Sequence, residues 1–329
     1  MTFKSQIEVL APGVGIVCIT GLAALFLSEH YATPVMLFAL LLGIAVSFLY
    51  DETKCRAGID FTSSFLLRVG VVLIGLRITF QDLISLGWES GLLLVVAITS
   101  TILLGLLVSR LLGMRSYFGA LSGGAVGICG ASAALAISSV LPKYENRDRD
   151  TLITVLGVTM LSTVAMILYP IIAAWMQFDT QETSLFLGGT IHDVAQVVGA
   201  GYSVSNETGD LATLAKLVRV SMLVPVIMIM VIILNRRISQ ASNEKADLIP
   251  TFLILFLGLM IINSIFSIPA GFIETTSEIS RFALVMAIAG IGMKSNLRQL
   301  LDVGIKPIMV LIAETLWIAG LFILFLHFV

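Results

Sequence analysis

Charged residues are scarce in this chain of 329 residues: they make up 12%, against 58% hydrophobic residues and a mean hydropathy of +1.04. Soluble domains contain about 25% charged residues, so the composition excludes an ordinary soluble protein. The three cysteines show neither the spacing of a metal site nor that of a disulfide framework. A net charge of −2 gives no sign of nucleic-acid binding. The composition predicts an all-α polytopic membrane protein.

Long apolar runs are abundant. A membrane helix needs about 20 apolar residues. This rule predicts nine full spans, near residues 12–28, 34–50, 61–77, 89–111, 152–176, 212–234, 249–268, 279–294 and 306–328. Two further apolar segments, 117–141 and 184–203, are interrupted by glycines. Because the gaps are too short for a soluble domain, we expect one transmembrane domain over residues 1–329.

The two interrupted segments are unsuited to simple membrane crossing. The first contains Gly123 to Ala133, with four glycines and a serine in eleven residues, and the second contains Gly188 to Gly201. Each interior glycine costs a helix about 1 kcal/mol relative to alanine. Irregular backbone at membrane depth is tolerated only where it is buried in protein or lines a cavity. We therefore expect a core, residues 117–234, that brings the two breaks together.

Lysine and arginine are unevenly distributed between the loops. The loops at 29–33, 177–183, 203–210 and 269–278 contain neither. Since basic loops stay in the cytoplasm, two re-entrant hairpins, one from each side, would place every basic loop inside. The N-terminus would then be cytoplasmic and the C-terminus periplasmic. Two broken helices that cross the membrane remain the alternative, because the basic loop 142–150 also carries acidic residues.

An internal repeat lies outside the core. Residues 75–87 match residues 292–304, and the match runs through a polar loop, where hydrophobicity alone does not create similarity. The segments 34–111 and 249–328 therefore look like copies that face opposite ways and form a scaffold, with chance similarity between apolar helices as the alternative. Inverted repeats with glycine-broken segments are typical of secondary transporters whose site lies near the midplane.

Two helix starts are expected at the breaks. Ser132 would cap a helix over Ala133–Leu141, and Thr190 precedes a helix from His192 to Val198. A helix N-terminus offers free N–H groups and the positive end of its dipole to an anion. Two such ends at mid-depth would form an anion site with few formal charges. The alternative is that the glycines serve only close helix packing.

His192 and Asp193 form an adjacent ionisable pair inside an apolar segment. Such residues are expensive to bury and are functional candidates by default. On a helix, Gln196 would share a face with both. Because histidine titrates near physiological pH, this face predicts a polar-solute site or a proton relay. The alternative is that Asp193 caps its helix while His192 satisfies a buried carbonyl.

Four further charges lie inside apolar segments. Lys216 and Arg219 fall one helical turn apart and would neutralise Asp193 or clamp an anion. Arg219 would be the better clamp, because a guanidinium binds an oxyanion through two hydrogen bonds. Snorkelling towards the interface is the alternative, and it also applies to Arg68. Glu314 is interpreted as a proton carrier or as the partner of a cation.

Three motifs resemble a known family. Residues 127–133 (Gly-Ile-Cys-Gly-Ala-Ser-Ala), 191–198 (Ile-His-Asp-Val-Ala-Gln-Val-Val) and 216–220 (Lys-Leu-Val-Arg-Val) are similar to the YeiH-type family of bacterial membrane proteins. The resemblance covers most of the chain from about residue 34. It implies a fold related to sodium–proton antiporters and bile-acid symporters, an inner-membrane location and efflux of sulfate or sulfite. The positions that carry it over are Cys129, Gly130, Ser132, His192, Asp193, Gln196, Lys216 and Arg219.

The expected function is secondary active transport of a small inorganic anion, coupled to protons or sodium, without a cofactor or a bound metal. An organic-acid transporter and a channel remain alternatives, since broken re-entrant segments occur in channels too. An intramembrane enzyme is a third reading, with Cys129 as nucleophile and His192 as base. A homodimer stays open, because lipid-facing and dimer-facing surfaces look the same in the sequence.

Overall fold

The computed structural model describes residues 3–31, 35–51, 53–85, 87–142, 144, 146–235, 251–266, 268–295 and 304–328. Within these ranges the chain forms sixteen α-helices and no strand. The helices are α1 (Phe3–Tyr31), α2 (Val35–Ala45), α3 (Phe48–Asp51), α4 (Thr53–Ile74), α5 (Phe80–Ser85), α6 (Gly87–Leu111), α7 (Ser116–Gly127), α8 (Ala131–Val140), α9 (Arg147–Trp175), α10 (Thr180–Thr190), α11 (Val194–Val204), α12 (Asn206–Ser221), α13 (Leu223–Asn235), α14 (Thr251–Ile265), α15 (Ala270–Lys294) and α16 (Ile305–Phe328).

Seven spans in the described chain are long and apolar enough to cross a membrane: α1, α4, α6, α9, α12 continued by α13, α15 and α16. They coincide with seven of the nine predicted spans. The other two, 34–50 and 249–268, are shorter in their described parts, where α2 has 11 residues and α14 has 15. A straight crossing takes about 20 residues, so the described helices of these two predicted spans are shorter than a full crossing.

The helices form two groups. In the first, α1, α2, α4, α14 and α15 pack on one another; in the second, α6, α7, α9, α10, α11, α12 and α16 do so. Small residues permit close backbone approach: a Cβ added at Gly13 of α1 would lie 2.7 Å from the Cα of Gly58 of α4, and one at Gly43 of α2 would lie 2.9 Å from the Cα of Gly292 of α15. The groups meet where α11 contacts α2 and α15.

The helices α7 and α8 form a hairpin, called here the first hairpin, whose tip is Ile128–Gly130. A Cβ added at Gly124 of α7 would lie 2.2 Å from Ile137 Cδ1 of α8. Further from the tip, the rings of Tyr117 and Tyr144 stack with their centroids 5.5 Å apart. The chain therefore returns alongside itself after the tip.

The second hairpin consists of α10 and α11 and has its tip at Ile191–Asp193. Both helices run along α12. Ser184 of α10 donates to the carbonyl of Thr208 at 3.4 Å, and a Cβ added at Gly201 of α11 would lie 2.8 Å from the Cα of Gly209. Since Ser184 and Gly201 lie at the same level of α12, α11 returns beside α10.

The long helix α9 shows that the hairpins point towards each other. Near its start, Thr151 lies 2.6 Å from Ser138 of the first hairpin, measured between the hydroxyl oxygens. Near its end, the ring of Tyr169 lies 5.2 Å from that of Phe186 in the second hairpin. The hairpins therefore approach from opposite ends of α9 and meet tip to tip.

The predicted helix starts are wrong in detail. The helix α8 begins at Ala131 with Gly130 as its N-cap, so Ser132 lies in the first turn and is not the cap. Thr190 ends α10, where its hydroxyl donates to the carbonyl of Phe186 at 2.5 Å. Gly130 has φ 65° and ψ −126°, a conformation that favours glycine. This glycine turns the chain two residues earlier than the serine would.

The second copy of the internal repeat is described only in part. Residues 296–303, which form most of the polar loop of the second copy, lie outside the described residues. The same is true of Lys143, Arg236, Arg237, Lys245 and Arg298, five of the basic residues that motivate the predicted orientation.

Candidate functional site

The carbonyl ends of α7 and α10 meet at Arg219 of α12. Its side chain is fully buried, and it donates from Nε to Gly127 O at 2.5 Å and from Nη2 to Val126 O. It also donates from Nη1 to Gly189 O at 2.7 Å and to Ile191 O at 3.2 Å. The last carbonyls of a helix lack intrahelical partners. One guanidinium therefore satisfies the C-terminal ends of both hairpins' first helices.

Lys216 lies one turn before Arg219 on the same face of α12 and also binds backbone carbonyls of both tips. Its fully buried ammonium donates to Ile128 O and to Ile191 O, each at 2.8 Å. Cations are favourable at helix C-termini, where the dipole is negative. In this structure both cations bind backbone carbonyls, and neither lines the two cavities described below.

The helices α8 and α11 begin at the same two tips, so their N-terminal backbone N–H groups lie there. Asp193 is the N-cap residue of α11, yet its side chain makes no cap hydrogen bond, and Gly130 has no side chain with which to cap α8. The backbone N–H of Asp193 donates to Ser162 Oγ of α9 at 3.1 Å. Within the described chain, the amide side of the tips therefore has no side-chain caps.

His192 and Asp193 lie in the tip and not on a helix, so the helical face predicted for them with Gln196 is wrong. His192 is fully buried, and its Nε2 lies 2.9 Å from Thr315 Oγ1 of α16. Its Nδ1 has no hydrogen-bond partner. Gln196 occupies the first turn of α11 and is 1% exposed, and its Oε1 also lacks a partner.

Two cavities flank the tips on the amide side. Cavity I has a volume of about 210 Å³ and includes Cys129, Ser132 and Asp193 in its lining. Cavity II has a volume of about 550 Å³ and includes Asp193 and Gln196. Both lie between the two helix groups, because Ile291 and Lys294 of α15 line both of them.

The lining of each cavity carries one more positive than negative formal charge. Cavity I has Arg68 and Lys294 against Asp193, and cavity II has Arg56 and Lys294 against Asp193. Lys294 Nζ also lies 2.8 Å from Asp60 Oδ1, in a pair whose side chains are 35% and 42% exposed. An anion that enters either cavity would meet cations on α4 or α15 and helix N-termini on the hairpins.

A buried carboxyl group adjoins the first hairpin. Glu314 of α16 has no exposed surface, and its Oε1 accepts a hydrogen bond from Ser122 Oγ of α7 at 2.7 Å. Its Oε2 has no partner. The next residue, Thr315, contacts His192, so α16 connects with both hairpins.

The predicted site residues cluster, with two distinct placements. Lys216 and Arg219 lie on the carbonyl side of the tips, while Cys129, Gly130, Ser132, Asp193 and Gln196 lie on the amide side. The sequence reading assigned no site role to Lys294, and it treated Arg68 as a snorkelling residue. Ser162 was missed because a single polar residue on an apolar helix gives no distinctive signal. No hydrogen bond joins the Cys129 thiol to His192 in the described chain, so the nucleophile–base contact of the enzyme reading is not formed.

Comparison with known proteins identifies the family. A family model described as conserved hypothetical protein 698 matches residues 12–311. The chain belongs to this family. Its curated relatives include UPF0324 membrane proteins of Chlorobaculum tepidum, 49% identical over 97% of this chain and 89% of the relative, and of Rhizobium meliloti, 50% identical over 94% and 90%.

A further relative is the UPF0324 membrane protein TauZ of Paracoccus pantotrophus, 47% identical over 96% of this chain and 94% of the relative. No solved structure matches the chain significantly. These names and the seven apolar spans agree that this UPF0324 chain is a multi-pass membrane protein. The names give no substrate, and the YeiH-type resemblance keeps its sulfate-export implication as a prediction.

Proposed function

We propose that this protein is a secondary transporter of a small inorganic anion, located in the bacterial inner membrane. The observation that carries the proposal is the pair of uncapped helix N-termini that open on cavities with a positive lining. Free N–H groups and the helix dipole favour an anion there. Ser132 adds a hydroxyl donor in cavity I, and Arg68 and Lys294 add charge from the opposite wall.

The hairpins fit a transporter core. Irregular backbone at membrane depth needs protein or a cavity around it, and the buried tips and the two cavities meet this requirement. The favoured core is larger than residues 117–234, because α6 and α16 also pack on the hairpins. The remaining scaffold is α1, α2, α4, α14 and α15.

The contacts within the scaffold support an inverted repeat. Gly75 and Gly292 are equivalent positions in the two sequence copies. A Cβ added at Gly75 would lie 2.5 Å from Phe256 O of α14, and one added at Gly292 would lie 2.4 Å from Leu40 O of α2. Each glycine thus packs on the short helix of the other copy, as a twofold relation requires. Inverted repeats of this kind support alternating access.

The basic loops favour a cytoplasmic N-terminus and a periplasmic C-terminus. Cavity II includes the exposed Arg56, which lies with Lys54 in the first turn of α4, between two of the predicted spans. On this reading the cavity opens to the cytoplasm, as an exporter awaiting its substrate requires. Sulfate and sulfite are the first anions to test, with protons or sodium as the coupling ion.

Purified protein in liposomes tests the proposal. We expect saturable flux of radiolabelled sulfate or sulfite above the level of protein-free liposomes, and a several-fold lower flux with Arg68→Gln. The matched control is Arg281→Gln, which removes an exposed arginine of α15 that lines neither cavity. Absence of flux for every inorganic anion tested would overturn the proposal. Flux that never saturates would favour a channel.

A further inference from the structure

Glu314 is a buried ionisable group that the anion site does not use. It has no exposed surface, its Oε1 has one hydrogen-bond donor, Ser122, and its Oε2 has none. No cation pairs with it in the part of the chain that the structure describes. An uncompensated carboxylate in such a place is very costly. We therefore infer that Glu314 is a protonated carboxylic acid in this arrangement.

The neighbouring helices bring no charged side chain to this carboxyl group. In the described chain α7 contains no charged residue, and Tyr117 is its one titratable residue. The charges of α6 are Glu89 and Arg110, at its two ends. The charges of α10 and α9 lie in their first turns: Glu182, and Arg147, Asp148, Arg149 and Asp150. Tyr169 of α9 and His192, which contacts the adjacent Thr315, are the remaining titratable groups on the elements that surround α16.

The carboxyl group is closely packed between α6, α7 and α16. A Cβ added at Gly105 of α6 would lie 2.2 Å from Glu314 Oε1 and 2.5 Å from Gly119 O of α7. Loss of the proton would create a charge that needs water or a cation, and only separation of α16 from α6 and α7 would admit either. Proton release is thus tied to movement at the first hairpin.

We propose that Glu314 is the proton-binding site that couples anion transport to a proton gradient. This inference rests on the proposed function and adds the coupling ion and its residue. One proton binds the carboxylate in the close-packed state and leaves the carboxylic acid when the helices separate. The sequence offers His192 or Asp193 as the coupling residue and interprets Glu314 as a proton carrier or as the partner of a cation. His192 and Asp193 lie at the tip, whereas Glu314 lies on the flank of the first hairpin and pairs with no cation in the described chain.

Two measurements on wild type, Glu314→Gln and Glu274→Gln test the proposal. Glutamine keeps the volume and an oxygen acceptor for Ser122, and Glu274 is an exposed control on α15. In liposomes with a pH-sensitive dye inside, a sulfate or sulfite gradient should move protons with wild type and Glu274→Gln. With Glu314→Gln we expect anion exchange to persist and proton movement to be lost. Proton movement per anion that equals wild type would overturn the proposal.

The second measurement does not depend on transport. Infrared difference spectra after hydrogen–deuterium exchange should show the carbonyl band of a protonated buried carboxyl group in wild type and Glu274→Gln, but not in Glu314→Gln. A spectrum that this variant leaves unchanged would contradict a proton on Glu314. If wild type moves no inorganic anion, the proposed function and the coupling role both fail, whatever the band shows. If wild type moves anions without protons, the coupling role alone fails.

A second variant covers the case in which Glu314→Gln does not fold. Ser122→Ala keeps the carboxyl group and removes its one hydrogen-bond donor. Because this donor stabilises the charged carboxylate, its removal favours the protonated form. Proton-coupled flux should persist in this variant, with its pH midpoint moved to higher pH. An unchanged midpoint would argue against Glu314 as the titrating group.

Discussion

The two faces of the hairpin tips are built in opposite ways. On the carbonyl face, Lys216 and Arg219 bind five backbone carbonyls, those of Val126, Gly127, Ile128, Gly189 and Ile191. On the amide face, the helices α8 and α11 begin without side-chain caps and beside cavities. One set of helix ends is neutralised by cations of the protein itself, and the other set lies beside the two cavities.

This difference separates cations that bind backbone carbonyls from cations that line a cavity. Both cations are charges at membrane depth, which the sequence alone marks as functional candidates. Their hydrogen bonds show that they hold the tips together. Arg68 and Lys294, on the other helix group, line cavity I instead, and Lys294 also pairs with Asp60. Substitutions on the two faces should therefore have different consequences.

The largest effect is expected for Arg219→Ala on the carbonyl face. Arg219 donates hydrogen bonds to the carbonyls of Val126, Gly127 and Gly189. Each buried carbonyl that is left without a hydrogen bond costs about 1–3 kcal/mol. We expect the free energy of unfolding to fall by at least about 3 kcal/mol, read as a large drop in melting temperature of the purified protein. Arg68→Gln should melt like wild type. Equal melting of Arg219→Ala and wild type would erase the distinction between the faces.

An intermediate effect is expected at the turn between the faces. Gly130 has φ 65°, where any side chain is strained, so Gly130→Ala should cost about 1–3 kcal/mol of stability. The control is Gly320→Ala on α16, which has open space at the Cβ position and lies in a helix, where alanine is favoured. The melting temperature should fall for the first and hold or rise for the second. The reverse order would show that the turn adopts another conformation.

The smallest effect is expected on the amide face. Ser132→Ala removes one hydroxyl donor from cavity I, worth about 1 kcal/mol or about a fivefold weaker anion affinity, with little change in stability. Titration of sulfate or sulfite against the melting temperature measures this affinity, because a ligand of the folded state stabilises it by mass action. Ser139→Ala, on the same helix but away from both cavities, should bind like wild type. Equal affinity of the two variants would remove Ser132 from the site.

The sequence predicts the class and the centre of this molecule well. Apolar runs locate seven spans, because each span must bury enough apolar surface to cross a bilayer by itself. The glycine runs locate both tips for the same local reason, since glycine disfavours a continuous helix. The cluster of Cys129, His192, Asp193, Lys216 and Arg219 follows from their intramembrane polarity.

The roles inside the cluster depend on contacts between distant segments. Whether Arg219 binds an anion or a carbonyl is decided by residues 92 and 93 positions away. The partner of Glu314 is Ser122, which lies 192 positions away. The start of α8 lies two residues before the predicted one because Gly130 turns the chain before Ser132, and that of α11 lies two residues after the predicted one. No local pattern contains this information.

Arg219 also acts as a mechanical link. One guanidinium bonds four carbonyls that belong to two different hairpins, in a place without exposed surface. A movement that separated the tips would break these bonds where no water could replace them. A movement that slides both hairpins past α2 and α15 would leave them intact. We therefore expect the hairpins to move together along the boundary where the two cavities lie, and a bound ion to move with them. The separation of α16 from α6 and α7 that releases the proton of Glu314 also leaves the bonds of Arg219 intact, because Arg219 belongs to α12.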